Sequence, residues 1–145
     1  MQFIAFYGLQ LGATIGRIAN RIDHAKIKGL NGQDYQLTPN EGENVCHSGP
    51  EGFHHRVFEG PVISHEGNKQ TVEYTSSVKH LEDKFPGTIN VSVKYHVEEE
   101  EHPGGVIAGK LGIEYQVDLL GDAEETAIAM TNHRFVVLNM SLTWF

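Results

Sequence analysis

Hydrophobic and polar residues alternate with a period of two along much of the chain, which is typical of strands with one buried face. The clearest run covers residues 88–97, where the odd positions are Ile89, Val91, Val93, Tyr95 and Val97 and the even positions are mostly polar. A second run, residues 111–119, also has its apolar side chains at odd positions. Both segments are predicted to form half-buried strands.

Shorter patterns predict further strands, separated by turn residues. These candidates are residues 2–6, 24–28, 34–37, 55–58, 70–75, 126–131 and 133–138. Asn31-Gly32 favours a two-residue hairpin turn because both residues tolerate a positive φ, and Pro86-Gly87 and Pro103-Gly104 mark chain breaks. No segment has a sustained helical stripe, so the predicted fold is all-β and mainly antiparallel. The polar stretches 38–52 and 76–87 are expected to be loops that carry binding groups.

Composition and charge narrow the classes of partner. The chain has 145 residues, enough for one domain, and a net charge of −8 without a cluster of Lys and Arg, so no nucleic-acid partner is expected. No apolar stretch approaches the roughly 18 residues of a membrane span. The single cysteine, Cys46, leaves no disulfide within the chain and fits a reducing compartment. We therefore expect no membrane association and a cytoplasmic location, with Glu98–Glu101 in a solvated loop.

Three segments combine cationic or titratable side chains with small or amide residues. They are Gly-Arg-Ile-Ala-Asn-Arg-Ile at 16–22, Asn-Val-Cys-His-Ser-Gly at 44–49 and Thr-Asn-His-Arg-Phe at 131–135. Taken singly, Arg17 and Arg21 fit surface arginines and His47 fits a loop histidine. Strand alternation places His133 on one face with Thr131 and Phe135, where a histidine also fits a core position.

Taken together and in this order, the segments resemble motifs of the aldose 1-epimerase (galactose mutarotase) family. Residues 16–22 resemble its G-R-x-A-N-R-I signature, and residues 40–49, followed by Gly52-Phe53, resemble its N-x-x-x-N-x-L-H-G-G loop. Residues 85–87 resemble a Y-P-G that precedes a strand of alternating valines, and residues 131–133 resemble the T-N-H at the start of a further strand. The resemblance runs from about Phe6 to Leu138. It implies that residues 1–145 form a single, partial domain of an antiparallel β-sandwich, part of a mutarotase-like supersandwich.

The resemblance also implies an activity and a set of site residues. Members of the family interconvert the α and β anomers of free hexoses such as galactose and glucose by acid–base ring opening, without a cofactor or metal. By carry-over, His133 is the catalytic proton donor to the ring oxygen. Asn20, Arg21 and His47 are substrate-binding residues, and Phe135 offers an aromatic face to the sugar. The implied partner is a free aldohexose.

Departures from the family pattern lead to an alternative. Ser48 replaces the first Gly of the H-G-G turn, a tolerable change if this position has no positive φ. Phe135, Val136 and Val137 replace Tyr, Phe and Asn. The family's sugar-binding Asp and its general base, a Glu, follow the N-H motif, whereas the twelve residues after His133 include no acidic one. The alternative is therefore a catalytically impaired sugar-binding fragment, with self-association through an exposed sheet edge.

A metal site is a weaker alternative, prompted by nine histidines. The only adjacent pair, His54-His55, points to opposite faces if the chain is extended there. Neither an H-x-H nor an H-x-x-x-H spacing accompanies it, so no metal is expected.

Overall fold

In a computed structural model, the described residues are 10, 12–121 and 123–133; at 106 and 107 only the backbone is described. Ten strands are described, all in antiparallel pairs. They are β1 (Thr14–Ile15), β2 (Arg21–Ile22), β3 (Lys26–Leu30), β4 (Gln33–Gln36), β5 (Val45–Cys46), β6 (Glu59–Glu66), β7 (Lys69–Val78), β8 (Thr88–His102), β9 (Val106–Leu120) and β10 (Thr131–Asn132). Short 3₁₀ turns cover Asp23–Ala25, Gly49–Glu51 and Phe53–His55. The all-β, antiparallel prediction is confirmed.

The main sheet is a meander in the order β6-β7-β8-β9. Its two long strands confirm the predictions at 88–97 and 111–119, and β7 confirms the one at 70–75. The register pairs Val91 with both Ser76 and Val117, so the alternating apolar positions of three strands share one face. On that face Val78, Ile89, Val91 and Val93 are buried together with Phe53. The same hydrophobic alternation that predicted the strands therefore builds the core.

The predicted loop at Glu98–Glu101 is wrong. These residues continue β8, where Glu98 pairs with Lys110 and Glu101 with Ile107 of β9. Backbone pairing continues to the turn after His102, and the carboxylates are accommodated because that end of the hairpin is largely exposed. A run of like charges therefore did not end the strand.

Two of the shorter strand predictions are wrong and one is shifted. Residues 55–58 are not a strand, because Phe53 is buried and the chain turns around it, with the N–H of Arg56 donating to the carbonyl of Phe53. Of the strand predicted at 126–131, only Thr131 lies in a strand, β10; residues 126–130 make a single isolated bridge, a parallel one in which Ala129 bonds to Arg17 and Ala19. The strand predicted at 24–28 begins at 26. The strand predicted at 2–6, and all but His133 of the one at 133–138, lie outside the described residues.

The other described strands form three two-stranded sheets. In the β3–β4 hairpin, Asn31 and Gly32 have φ values of 51° and 74°, which confirms the predicted turn. The β2–β5 pair joins the first motif to the second, and the β1–β10 pair places the third motif beside residues 14 and 15. Among the described residues, no helix is long and apolar enough to cross a membrane.

Arg17 forms hydrogen bonds that connect the first motif, residues 16–22, to the loop before β8. Its Nε donates to Asp83 at 2.7 Å, and its Nη1 donates to the carbonyl of Pro86 and to Thr126 at 2.9 and 2.7 Å. Its Nη2 donates to the carbonyl of Gly87 at 3.0 Å. Arg17 is fully buried, so its interpretation as a surface arginine is wrong. The guanidinium and the polar groups of this loop satisfy one another in the interior.

Candidate functional site

The short β2–β5 pair brings the first two motifs together. Arg21 pairs with Cys46 in this ladder. Beyond the ladder, the N–H of His47 donates to the carbonyl of Asn20 at 2.8 Å. Side chains that are far apart in the sequence therefore start from neighbouring backbone positions.

Arg21 is exposed, yet several of its donors are engaged. Its Nη2 donates to Glu41 Oε1 at 2.7 Å, and its Nε donates to the other oxygen of the same carboxylate. Its Nη1 donates to Asn20 Oδ1 at 3.1 Å. The hydrogen bonds from Arg21 are the main cause of the lowered pKa of Glu41. Arg21 is thus a surface arginine with a fixed orientation, and a guanidinium has five N–H donors, so others are left for a ligand.

His47 is partly buried, and its ring is held on one side. Its Nδ1 accepts a hydrogen bond from the N–H of Asn20 at 3.0 Å. The ring centroid lies 5.8 Å from that of His133, with the planes 80° apart. Burial lowers the pKa of His47, and the neighbouring His133 and Arg21 lower it further, while Glu41 opposes them. The neutral form of the His47 imidazole is therefore favoured.

His133 is exposed and is placed by the β1–β10 pair. Its N–H donates to the carbonyl of Ala13 at 2.9 Å, and its carbonyl accepts from Gly12 at 2.7 Å. Its interpretation as a core histidine is wrong, because the imidazole meets solvent and His47 rather than the apolar core. The preceding Asn132 donates through Nδ2 to the hydroxyl of Tyr95, 3.1 Å away, which ties this strand to β8.

Ser48 has a φ of 64°, so the condition under which its replacement of Gly was expected to be harmless is not met. The serine compensates locally. Its Oγ accepts from the N–H of Ile18 at 2.8 Å and lies 3.1 Å from the carbonyl of the same residue, to which it donates. These two bonds offset a left-handed backbone that disfavours non-glycine residues.

His54 and His55 do not point apart as an extended chain would require. They lie in a 3₁₀ turn with ring centroids 4.0 Å apart. Burial lowers the pKa of His54 to about 4, helped by the proximity of His55 and His47. In the part of the chain that is described, no group of three or more His, Cys, Asp or Glu side chains is arranged to hold a metal.

The carboxylates of the loop around His47 have other partners. Glu41 binds Arg21, and Glu43 lies 3.2 Å from Nδ1 of His24. Glu51 accepts a hydrogen bond from Thr38 at 2.9 Å. A cavity of about 590 Å³, lined by Tyr35 and His80 among others, includes none of the predicted site residues.

The structure thus brings His47 and His133 together and links Arg21 to His47 through Asn20. Phe135, the remaining predicted site residue, lies outside the described residues. Sequence reasoning missed Glu41 as the partner of Arg21 and Tyr95 as the anchor of Asn132. Glu41 stands in the motif that was matched, but no spacing rule connects it to an arginine twenty residues earlier. Tyr95 was visible only as one of the alternating apolar positions of β8.

Comparisons with known proteins show the family of the chain. The sequence model of the aldose 1-epimerase family matches residues 6–141. The "Bifunctional protein GAL10" of Pachysolen tannophilus is 35% identical over 129 residues, which cover 86% of this chain and 18% of that protein. The galactose mutarotase of Bos taurus is 29% identical over 124 residues, covering 86% of this chain and 31% of its own length.

A solved structure shares the fold. The crystal structure of a GalM/aldose epimerase homologue from C. elegans superposes with a TM-score of 0.67 at 27% identity, covering 86% of this chain and 33% of that one. The fold described above is thus similar to part of that larger protein. The chain spans about a third or less of the length of these relatives. With a family match that extends over nearly all of its residues, the chain belongs to the aldose 1-epimerase family.

Proposed function

We propose that this chain acts in the interconversion of the α and β anomers of free aldohexoses such as galactose and glucose. The observation that carries the proposal is the 5.8 Å separation of the His47 and His133 rings, with Arg21 linked to the same point through Asn20. Three donors from three separate motifs thus serve one location. The family membership supports the same reaction.

The reaction is an exchange of protons with a ring opening. A base removes the proton of the C1 hydroxyl while an acid protonates the ring oxygen, so that the C1–O5 bond breaks and a C1 carbonyl forms. Rotation about C1–C2 presents the other carbonyl face, and the reverse proton transfers close the ring as the other anomer. Nothing is oxidised or reduced overall, and the proposal assigns no cofactor.

Each residue has a stated part in this proposal. His133 is the proton donor to the ring oxygen, a task suited to imidazole because its ordinary pKa lies near neutrality. His47 and Arg21 hydrogen-bond sugar oxygens, and Asn20 sits between them. Phe135 contributes an apolar contact with the sugar C–H groups.

A second candidate is a sugar-binding chain without catalysis of its own. It is favoured by the engagement of Glu41, Glu43 and Glu51 with other side chains, since a general base needs a carboxylate that faces the substrate. In that case the acid and the binding groups are retained and the base is not supplied by this loop.

Polarimetry of freshly dissolved α-galactose, with and without added acetate, separates the two candidates. Acetate is a small carboxylate base that can replace a missing one. Acceleration without acetate supports the epimerase outright and makes Glu41, Glu43 and Glu51 the residues to mutate next. Acceleration that requires acetate and is lost in His133→Gln, but not in the exposed His65→Gln control, supports an acid without its base. Binding of galactose with no acceleration in either buffer favours the second candidate, and absence of binding contradicts both.

We also propose self-association through the edge of the main sheet. All eight residues of β6 are exposed, and this strand has a neighbour on one side only among the described residues. An unpaired strand edge is a template for pairing with another chain. Sedimentation velocity over a range of concentrations tests this: a concentration-dependent mass supports it, and a monomer at every concentration contradicts it.

A further inference from the structure

Asn20 and His47 are joined by two reciprocal hydrogen bonds. The N–H of Asn20 donates to Nδ1 of His47 at 3.0 Å, and the N–H of His47 donates to the carbonyl of Asn20 at 2.8 Å. We propose that Asn20 is a positioning residue whose main-chain N–H holds His47 in the tautomer with its proton on Nε2. The consequence of this tautomer for sugar recognition rests on the proposed function above.

The tautomer follows from the direction of the first bond. A ring nitrogen that accepts a hydrogen bond has its lone pair in use and carries no proton. A neutral imidazole has a single N–H, so the proton must be on Nε2. A proton on Nδ1 would face the N–H of Asn20 as a second donor, which removes the bond and leaves two like dipoles opposed. His47 thus meets a ligand as a hydrogen-bond donor.

Most of the charged and titratable groups around His47 favour its neutral form. His133 and Arg21 are close enough to disfavour a positive charge on the ring, and the ring of His54 lies 6.4 Å away. Glu41 is the opposing group, but it is held in a bidentate pair with Arg21. The imidazole is therefore held neutral and in one orientation.

The local backbone explains why an asparagine serves here. Asn20 has a φ of 66° and His47 a φ of 54°, so both residues flanking the β2–β5 ladder are left-handed. Asparagine is among the non-glycine residues that adopt this conformation most readily. The side chain has a second task, because its Oδ1 accepts from Arg21 Nη1. One residue thus positions two of the sugar-binding side chains, rather than acting only as a sugar ligand.

The test is to identify the protonated nitrogen of His47 by long-range ¹H–¹⁵N spectroscopy of the ¹⁵N-labelled chain near pH 7, without sugar. We expect a pyridine-type Nδ1 and a pyrrole-type Nε2 in the wild type. Asn20→Gly keeps the positive φ and the N–H and should show the same pattern. Asn20→Val disfavours the left-handed backbone and should show a mixture of tautomers. If the Asn20→Val variant does not fold, the milder Asn20→Ala variant is used in its place.

A wild-type His47 with its proton on Nδ1 overturns the proposal, as does an unchanged pattern in a folded Asn20→Val or Asn20→Ala variant. A galactose titration then separates this inference from the proposed function. Loss of the left-handed backbone at residue 20 should remove one hydrogen bond, the one that orients the His47 ring. Asn20→Val should therefore bind galactose roughly five-fold more weakly than Asn20→Gly. If no variant responds to galactose while the tautomers are as expected, the proposed function fails and the positioning role stands.

Discussion

The guanidinium of Arg17 lies 2.7 Å from the carboxylate of Asp83, 66 residues away in sequence, and both side chains are withdrawn from solvent. Breaking a buried pair of this kind leaves an uncompensated charge in the interior. We expect Arg17→Met or Asp83→Asn to lower the free energy of unfolding by about 3–5 kcal/mol. Urea unfolding followed by circular dichroism measures this.

The control for the Arg17–Asp83 pair is a solvent-exposed ion pair on the surface of the protein. Lys110 and Glu100 approach within 3.8 Å on the hairpin end of the main sheet, and both are exposed. Lys110→Met should therefore leave the unfolding midpoint nearly unchanged, because exposed pairs contribute little. Equal effects of Lys110→Met and Asp83→Asn would contradict the anchoring role given to Arg17.

Gly16 is needed because the ring of Phe53 packs directly on its Cα. A Cβ at this position would overlap the Phe53 ring, and the two residues are also joined by a hydrogen bond of 3.0 Å from the Phe53 N–H to the Gly16 carbonyl. We expect Gly16→Ala to destabilise the chain by roughly 1–3 kcal/mol, the range for overpacking. Gly109→Ala in β9 is the matched control, since a Cβ there meets nothing within 4 Å. A stable Gly16→Ala variant with an unmoved Phe53 would overturn this account.

These two positions show why only part of the structure could be predicted from the sequence. The two long strands were predictable because apolar side chains recur at every second residue along 89–97 and 111–119. The burial of Arg17 was not, because its partner Asp83 is distant in sequence and an arginine is usually exposed. Strand β6 was missed because all of its eight residues are exposed, so that it has no alternation to detect.

The candidate site, too, could be predicted only in part from the sequence. The resemblance placed Arg21, His47 and His133 in motifs, and the structure brings the two histidines into contact. The left-handed backbone at Ser48 and the pairing of Arg21 with Glu41 were not foreseen. Both depend on where β2 and β5 meet, which is a tertiary contact without a local signal.

The partly buried imidazole of His54 should make stability depend on pH. Its ring nitrogens have no hydrogen-bond partner among the described residues, and its pKa is about 4, against an ordinary value of 6.5. As pH falls below 6.5, the unfolded chain binds a proton that the folded chain does not, so the free energy of unfolding falls until the pH reaches about 4. Because the residue is only partly buried, we expect a loss of about 1–2 kcal/mol over this window.

Urea unfolding across that pH window, compared between wild type and two variants, measures the contribution of His54. His54→Gln should flatten the dependence, whereas His65→Gln, which removes an exposed imidazole on β6, should not. If the wild type and His54→Gln lose stability in parallel, the pH dependence comes from other groups.

Glu41 should support sugar binding by orienting Arg21. Removal of its charge by Glu41→Gln weakens the bidentate contact and frees the guanidinium to rotate. We expect the dissociation constant for galactose to rise roughly two- to five-fold, the effect of an exposed ion pair. Glu43→Gln is the matched control in the same loop, since Glu43 lies against His24 and not Arg21. Equal losses in the two variants would show a general effect of loop charge.

The central claim is that Arg21, His47 and His133 serve one sugar site. The most direct measurement is a titration of the ¹⁵N-labelled chain with galactose, following the ring resonances of both histidines, with galactitol as an open-chain control that cannot form a ring. We predict that His47 and His133 shift together with a single dissociation constant, that Arg21→Gln weakens both responses, and that galactitol produces neither. Shifts of one histidine alone, or equal shifts with galactitol, would contradict a shared site for a cyclic sugar.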